Sequence, residues 1–225
     1  ADDADVAHVV ITGAGEKAFC AGGDIRSIYD AKMAGEMEGL GEFFKEEYLL
    51  NAQIKAYPKP YIALVDGANL GGGMGISVHG EIRVVTERAL LAMPETAIGF
   101  FPDVGATYFL PRLPEGVGMW LGLTGARIRG QDAVALGLAT HCVADDDLAP
   151  LAASSAARAV VAARGWRPTR AARAACRSGT AAVIASATLA EERVLVADLG
   201  SLGGDLGISL GNRLVEFGLH FCLVL

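Results

Sequence analysis

Lys59–Gly75 reads KPYIALVDGANLGGGMG. Pro58 and Pro60 precede a five-residue apolar run, Tyr61–Val65, that is too short for a helix and reads as a buried strand. Asp66-Gly67 is turn chemistry. Gly71-Gly72-Gly73 then opens a helical segment over Gly71–Val78. Glycines in a row before a helix let a ligand approach the backbone closely and leave N–H groups free to donate. Close packing of the helix on the strand would ask for the same glycines. No Gly-Lys-Ser/Thr follows, which excludes a P-loop.

The same order of strand, glycine bend and helix recurs on the amino-terminal side. Val6–Thr12 (VAHVVIT) is a short β-branched strand, and Gly13-Ala14-Gly15-Glu16 ends it in a turn. A second glycine bend lies in Lys17–Ile25 (KAFCAGGDI), ahead of a helix over Asp24–Ala34. Gly13-Ala14-Gly15 is not followed by a third glycine three residues on, which excludes a dinucleotide fingerprint. Gly41–Ala56 reads as an amphipathic helix, with Phe43, Phe44, Tyr48, Leu49 and Ala52 on its apolar face and Glu42, Lys45 and Glu46 opposite. Downstream, strands are expected over Ile82–Val85, Ala89–Met93 and Ala139–Val143. A helical turn is expected over Ala97–Phe101, and helices over Val117–Leu123 and Gly130–Leu136. The alternation defines an α/β fold, although no repeat is visible in the letters themselves.

Met93–Gly105 (MPETAIGFFPDVG) places Glu95 and Asp103 among Met, Ile and Phe side chains. Desolvation favours the protonated carboxyl and prepares it for acid–base work. A helix cap at Asp103 and a solvated Glu95 are the structural alternatives. His79, within an apolar helix, reads as a hydrogen-bonded core histidine, and Cys20 as a packed thiol without a partner histidine. No HxxxH or His/Asp cluster suggests a metal.

Composition narrows the function. The 225 residues are 52% hydrophobic and 20% charged, enough for a real core. A net charge of −7 provides no basic field for nucleic acid or an anionic membrane. Four scattered cysteines (Cys20, Cys142, Cys176, Cys222) suggest neither a disulfide framework nor a zinc site. No long uncharged apolar stretch suits a bilayer. Ala1–Asp5 has neither the basic flank of a secretory leader nor the Arg-rich, acid-poor character of a transit peptide. Residues 1–145 form one compositional regime. Residues 146–225 form another, Ala/Arg-rich at first, with a solvated helix face over 158–177 and a mostly helical character expected.

Taken together, Lys17–Arg26 (KAFCAGGDIR), Phe43–Asn51 (FFKEEYLLN), Lys59–Gly75, Leu91–Leu113 (LAMPETAIGFFPDVGATYFLPRL) and Leu123–Val143 (LTGARIRGQDAVALGLATHCV) resemble the crotonase (enoyl-CoA hydratase/isomerase) superfamily. Within it they are most similar to the branch that hydrolyses a hydroxyacyl-CoA thioester in valine breakdown. The resemblance covers about residues 6–143. It implies a crotonase-like core of repeated ββα units wound into a superhelix, with the family's opening strand and first helix missing ahead of this core. It also implies an atypical carboxy-terminal part and assembly into homo-oligomers.

By motif position, the resemblance implies an oxyanion hole made by the backbone N–H groups of Gly23 and Gly72. Glu95 and Asp103 match catalytic acids, and Glu47 a substrate-site acid. Substrate binding then falls to Glu47, Gly72, Glu95 and Asp103. A hydratase of the superfamily carries a second catalytic glutamate where this chain has Gly75. Glycine cannot transfer a proton, so thioester hydrolysis is favoured over hydration. The implied substrate is an acyl-CoA; no cofactor is needed, because CoA is part of the substrate, and no metal, nucleic acid or membrane is involved. Another acyl-CoA reaction on the same scaffold and an inactive acyl-CoA-binding remnant are the competing readings. The setting implied is the mitochondrial matrix in a eukaryote and the cytoplasm in a bacterium.

Overall fold

The computed structural model describes residues 3, 5–36 and 39–153, and three further strands at 193–198, 206–210 and 213–217. Successive pairs of strands divide between two sheets. β1 (Val6–Thr12), β3 (Tyr61–Val65), β5 (Ile82–Thr86) and β8 (His141–Val143) run parallel in a long sheet. β2 (Ala18–Cys20), β4 (Ala68–Leu70) and β6 (Leu90–Ala92) run parallel in a short one, with the two-residue β7 (Ile128–Arg129) antiparallel at its edge. β1, β3 and β5 are each followed by a turn and a short strand. The chain then enters α1 (Ile25–Ala34), α3 (Gly72–Ser77) or the 3-10 turn Glu95–Ile98. This is the ββα unit implied by the resemblance. It is invisible as a letter repeat because its second strands are only three residues long.

The long sheet is covered on both faces. Val9, Ile11, Ala63, Val65 and Val85 join Phe19, Met74, Ile76, Leu91 and Met93 in the main core. The alternate residues Val10, Ile62, Leu64, Ile82 and Val84 form a second core with Leu151 of α7 (Leu148–Ala153). Side chains alternate between faces with period two, so strands buried on both sides read as continuous apolar runs. That is how Val6–Thr12 and Tyr61–Val65 read.

α2 (Leu40–Lys55) differs from its sequence reading. Its buried positions are Glu47, Asn51 and Ile54, whereas Leu49 is 61% and Tyr48 38% exposed. The periodicity was helical, but the inward face is partly polar because it packs on the site. The expected turn at Ala97–Phe101 begins two residues earlier, at Glu95. α4 (Ala106–Phe109), α5 (Val117–Thr124) and α6 (Gly130–Leu136) complete the covering helices.

After α7, β9 (Arg193–Asp198) pairs parallel with β1, β10 (Leu206–Leu210) antiparallel with β9, and β11 (Arg213–Phe217) antiparallel with β10. Within 146–225 the described backbone comprises one helix, a preceding 3-10 turn and three strands, and most of the stretch expected to be helical lies outside the described residues. The Arg-rich stretch 158–177 lies outside the described residues. Among the described residues no helix is long and apolar enough to cross a membrane.

Candidate active site

The short sheet assembles the site. β4 lies between β2 and β6, with Cys20 opposite Asn69 and Leu70 opposite Ala92. All three strands are parallel, so their carboxy-terminal ends open on the same side, where ligands gather in parallel α/β sheets. β2 leads into Gly22-Gly23, β4 into Gly71-Gly72 and β6 into Pro94-Glu95. The two bends touch: a methyl group on Gly22 would stand 3.3 Å from Leu70 O and 3.8 Å from the amide nitrogen of Gly72. Gly72 is the first residue of α3, and its N–H is one that the helix itself leaves without a partner.

Gly71 has φ +52° and ψ −116°, a combination open to glycine and strained for other residues. A methyl group there would also lie 2.9 Å from Glu95 Oε1. The bend is therefore shaped around the Glu95 carboxylate. Glu95 is 7% exposed, and its Oε2 has no hydrogen-bond partner among the described residues. Burial pushes its carboxyl up to about 7, against the lowering effect of its own backbone N–H, and the charge of Asp103 adds to the rise. Glu47, 3% exposed on α2, is likewise pushed up to about 7 by burial, then by Asp103 and Glu95. Glu47 and Glu95 thus share one desolvated region beside the half-buried Asp103, and the like charges of the two glutamates resist simultaneous ionisation. Asp103 accepts a hydrogen bond from the Tyr48 hydroxyl at 2.7 Å. Burial and that bond hold the phenol well above its ordinary pKa.

The loop carrying Asp103 is held by His79. Its Nε2 lies 2.8 Å from Val104 O. A carbonyl only accepts, so Nε2 carries the proton and donates. Burial lowers the imidazole pKa, which favours the neutral ring. Val104 is a buried β-branched residue at φ +41°, a strained conformation that surrounding contacts must maintain. His79 is therefore a buried histidine, as expected, but one that anchors a site loop. Cys20 is also buried. Burial raises its thiol to about 11, with Gly22 N–H opposing and Glu47 adding, so it packs as a thiol.

Gly75 sits where a second catalytic glutamate would stand in a hydratase of the family. A methyl group there would be 2.6 Å from Val104 Cβ, 2.9 Å from Asn51 Nδ2 and 3.1 Å from Asn51 Oδ1. Real Cβ atoms do not approach that closely, so the place is already filled. The structure brings together Gly72, Glu95, Glu47 and Asp103 and lays the Gly22-Gly23 bend against them. Sequence reasoning missed Tyr48, taken as part of an apolar face, and Asn51. The available signal was that Glu47 and Asn51 are four residues apart, on one helix face.

A crotonase-type α/β superhelix with two glycine bends and a buried glutamate is the class that this geometry defines. The enoyl-CoA hydratase/isomerase family profile matches residues 1–194, and the chain belongs to that family. It is 54% identical over 150 residues to the mitochondrial 3-hydroxyisobutyryl-CoA hydrolase of Xenopus tropicalis, a match covering 67% of this chain and 39% of that protein. The Homo sapiens protein of the same name is 53% identical over 149 residues, covering 66% and 38%. The chain therefore spans about two fifths of the length of these curated relatives. Among solved structures, an enoyl-CoA hydratase from Rhodobacter sphaeroides aligns with a TM-score of 0.63 at 36% identity, over 84% of this chain and 50% of that one. A carnitinyl-CoA dehydratase from Mycobacterium thermoresistibile aligns with a TM-score of 0.64 at 40% identity, over 84% and 51%.

Proposed function

We propose that the chain hydrolyses an acyl-CoA thioester, specifically 3-hydroxyisobutyryl-CoA, to the free hydroxy acid and CoA. The observation that carries this is the occupied space beside Gly75. It leaves Glu95 without the glutamate partner of a hydratase while Glu47 and Asp103 crowd the same site. The relatives named as hydrolases support the same reading.

The thioester carbonyl lies between the N–H groups of Gly23 and Gly72, which stabilise the tetrahedral oxyanion. One such donor is typically worth about 10²–10³ in rate. Glu95 takes one of two routes. As a base it removes a proton from water, the hydroxide oxygen bonds to the carbonyl carbon, and the C–S bond breaks to release the CoA thiolate. As a nucleophile its carboxylate attacks the carbonyl carbon, expels the thiolate and leaves a mixed anhydride that water then cleaves. A carboxyl with a pKa near 7 suits the base, because it is partly ionised at neutral pH and still accepts a proton. Asp103 orients the water or the substrate hydroxyl, and Glu47 binds that hydroxyl. Every step uses the chain's own groups and water, CoA being part of the substrate. The mitochondrial designation of the relatives supports a mitochondrial matrix setting for a eukaryotic source, with the cytoplasm as the bacterial counterpart. Assembly into homo-oligomers is the quaternary state proposed with it.

The test is free-thiol release from 3-hydroxyisobutyryl-CoA by the 225-residue chain, with Glu95→Ala beside it. Release by the parent chain that vanishes in the variant is expected. A folded chain that binds the thioester without releasing thiol would instead be an acyl-CoA-binding relative.

A further inference from the structure

Asn51 is 5% exposed, and neither Oδ1 nor Nδ2 has a hydrogen-bond partner among the described residues. Buried amides are ordinarily satisfied, so an orphaned one requires an explanation. Its surroundings supply one. Both polar atoms lie close to where a side chain at Gly75 would begin, 2.9 Å for Nδ2 and 3.1 Å for Oδ1, one turn along α3 from Gly72. Asn51 also follows Glu47 by one turn on the inward face of α2. The amide therefore occupies the space that a second glutamate would fill, beside the reacting carbonyl's proposed seat.

The chemistry of the pair restricts what can complete it. An amide offers an acceptor and a donor on adjacent atoms. An alcohol satisfies both at once, donating to Oδ1 and accepting from Nδ2. An unsubstituted acyl chain satisfies neither and would leave both atoms buried and unpaired. Sites built to hydrogen-bond a hydroxyl reject the analogue that lacks it more strongly than apolar pockets reject a change of size.

We propose that Asn51 is a specificity-determining residue that holds the hydroxyl of a hydroxyacyl-CoA, with Oδ1 accepting and Nδ2 donating, while the carboxyl O–H of Glu47, one helical turn away, donates to the hydroxyl's remaining lone pair. The inference rests on the thioester-binding reading above and names the group that selects the acyl chain.

The experiment compares 3-hydroxyisobutyryl-CoA with isobutyryl-CoA, which differs only by the hydroxyl. Kd for each is measured by titration calorimetry in a Glu95→Gln background, so that the ligands survive. The ratio of kcat/KM is measured in the otherwise unaltered chain. Asn51→Leu keeps the approximate volume and removes both polar atoms. It is expected to reduce the preference for the hydroxylated ligand by about tenfold in both measurements. Asn51→Thr, smaller and carrying one donor and acceptor, is expected to retain part of the preference and serves if the leucine variant does not fold. An unchanged preference in a folded variant overturns the proposal and makes the amide a structural group. A parent chain that turns over both thioesters equally well also overturns it, while the hydrolase reading stands. Binding of neither thioester removes both.

Discussion

Val84 and Leu64 of the long sheet lie in hydrocarbon, each 1% exposed, on strands covered from both sides. In the short sheet, three strands of three residues each lead into Gly22-Gly23, Gly71-Gly72 and Glu95. The long sheet contributes to both cores, whereas the short sheet adds Phe19 and Leu91 to the main core and also positions the proposed chemistry. Each of these short strands is only three residues long, although Phe19 and Leu91 lie inside the main core. Their precision comes from being tethered at each turn to a long strand whose register is fixed on both faces. The comparison predicts that damage in the two sheets separates into two kinds: loss of stability with intact turnover, and loss of turnover with an intact fold.

The strongest effect is expected from Glu95→Ala, with kcat falling by at least about a thousandfold while acyl-CoA Kd changes little. Unchanged turnover in that variant would remove Glu95 from the reaction. Single turnover in 18O-labelled water sharpens the same point. Label recovered in the Glu95 carboxylate identifies the anhydride route; label only in the product fits the base or an anhydride opened at the substrate carbonyl, and trapping of an acyl-enzyme with hydroxylamine separates those two. Gly71→Ala comes next, because it strains the bend by about 1–3 kcal/mol and drives a methyl group against Glu95 Oε1. A drop in kcat of about a hundredfold, together with a lower Tm, is expected. An unaffected kcat would show that the bend does not hold the carboxylate.

Acidity tests the site as a whole. Glu47 and Glu95 are raised from about 4.5 to about 7 in the folded chain. The folded state therefore binds these protons more tightly than the unfolded one. Their contribution to stability is fully present below about pH 4.5 and is lost as pH rises through about 7. Turnover has the opposite dependence, since Glu95 must ionise, and kcat should climb through about pH 7. Denaturant titrations and rate profiles over pH 4.5–8 check both signs. A kcat profile that is flat from pH 5 to 8 would contradict the assignment.

Val84→Ala probes the other sheet. Removing two buried methyl groups should cost about 2 kcal/mol of stability and leave kcat/KM of the folded protein intact. A comparable loss of turnover would show that the sheets are not separable. The smallest effect is expected for Tyr48→Phe. It deletes the hydrogen bond to Asp103 on a side chain that is 38% exposed, and should raise KM about fivefold.

The long strands were legible in the sequence because burial on both faces leaves continuous β-branched runs, as in VAHVVIT and YIALV. The short strands were not all legible. AFC and ANL are three residues long and carry no period of their own. Their place follows only from pairing with neighbours distant in the chain. Of the site, the glycine bends and Glu95 were recognisable as motifs. α2 misled because hydrophobic periodicity assumes that the inward face is apolar. Here Glu47 and Asn51 point inward and Leu49 outward. The strain at Val104 left no signal either, since nothing in the letters FPDVGA marks valine as the residue forced to positive φ.

The crowding at Gly75 also bears on how reaction types diverge within one scaffold. A glutamate introduced there meets Val104 and Asn51 before it can reach a substrate. Acquiring a second acid would require position 51 and the backbone of the loop at 104 to give way as well, so Gly75→Glu on its own would meet a clash before it supplied a proton. Such a dependence of one position on two others slows passage between reaction types. Relatives can share over a third of their residues and most of a fold, yet differ in chemistry by more than one substitution can bridge.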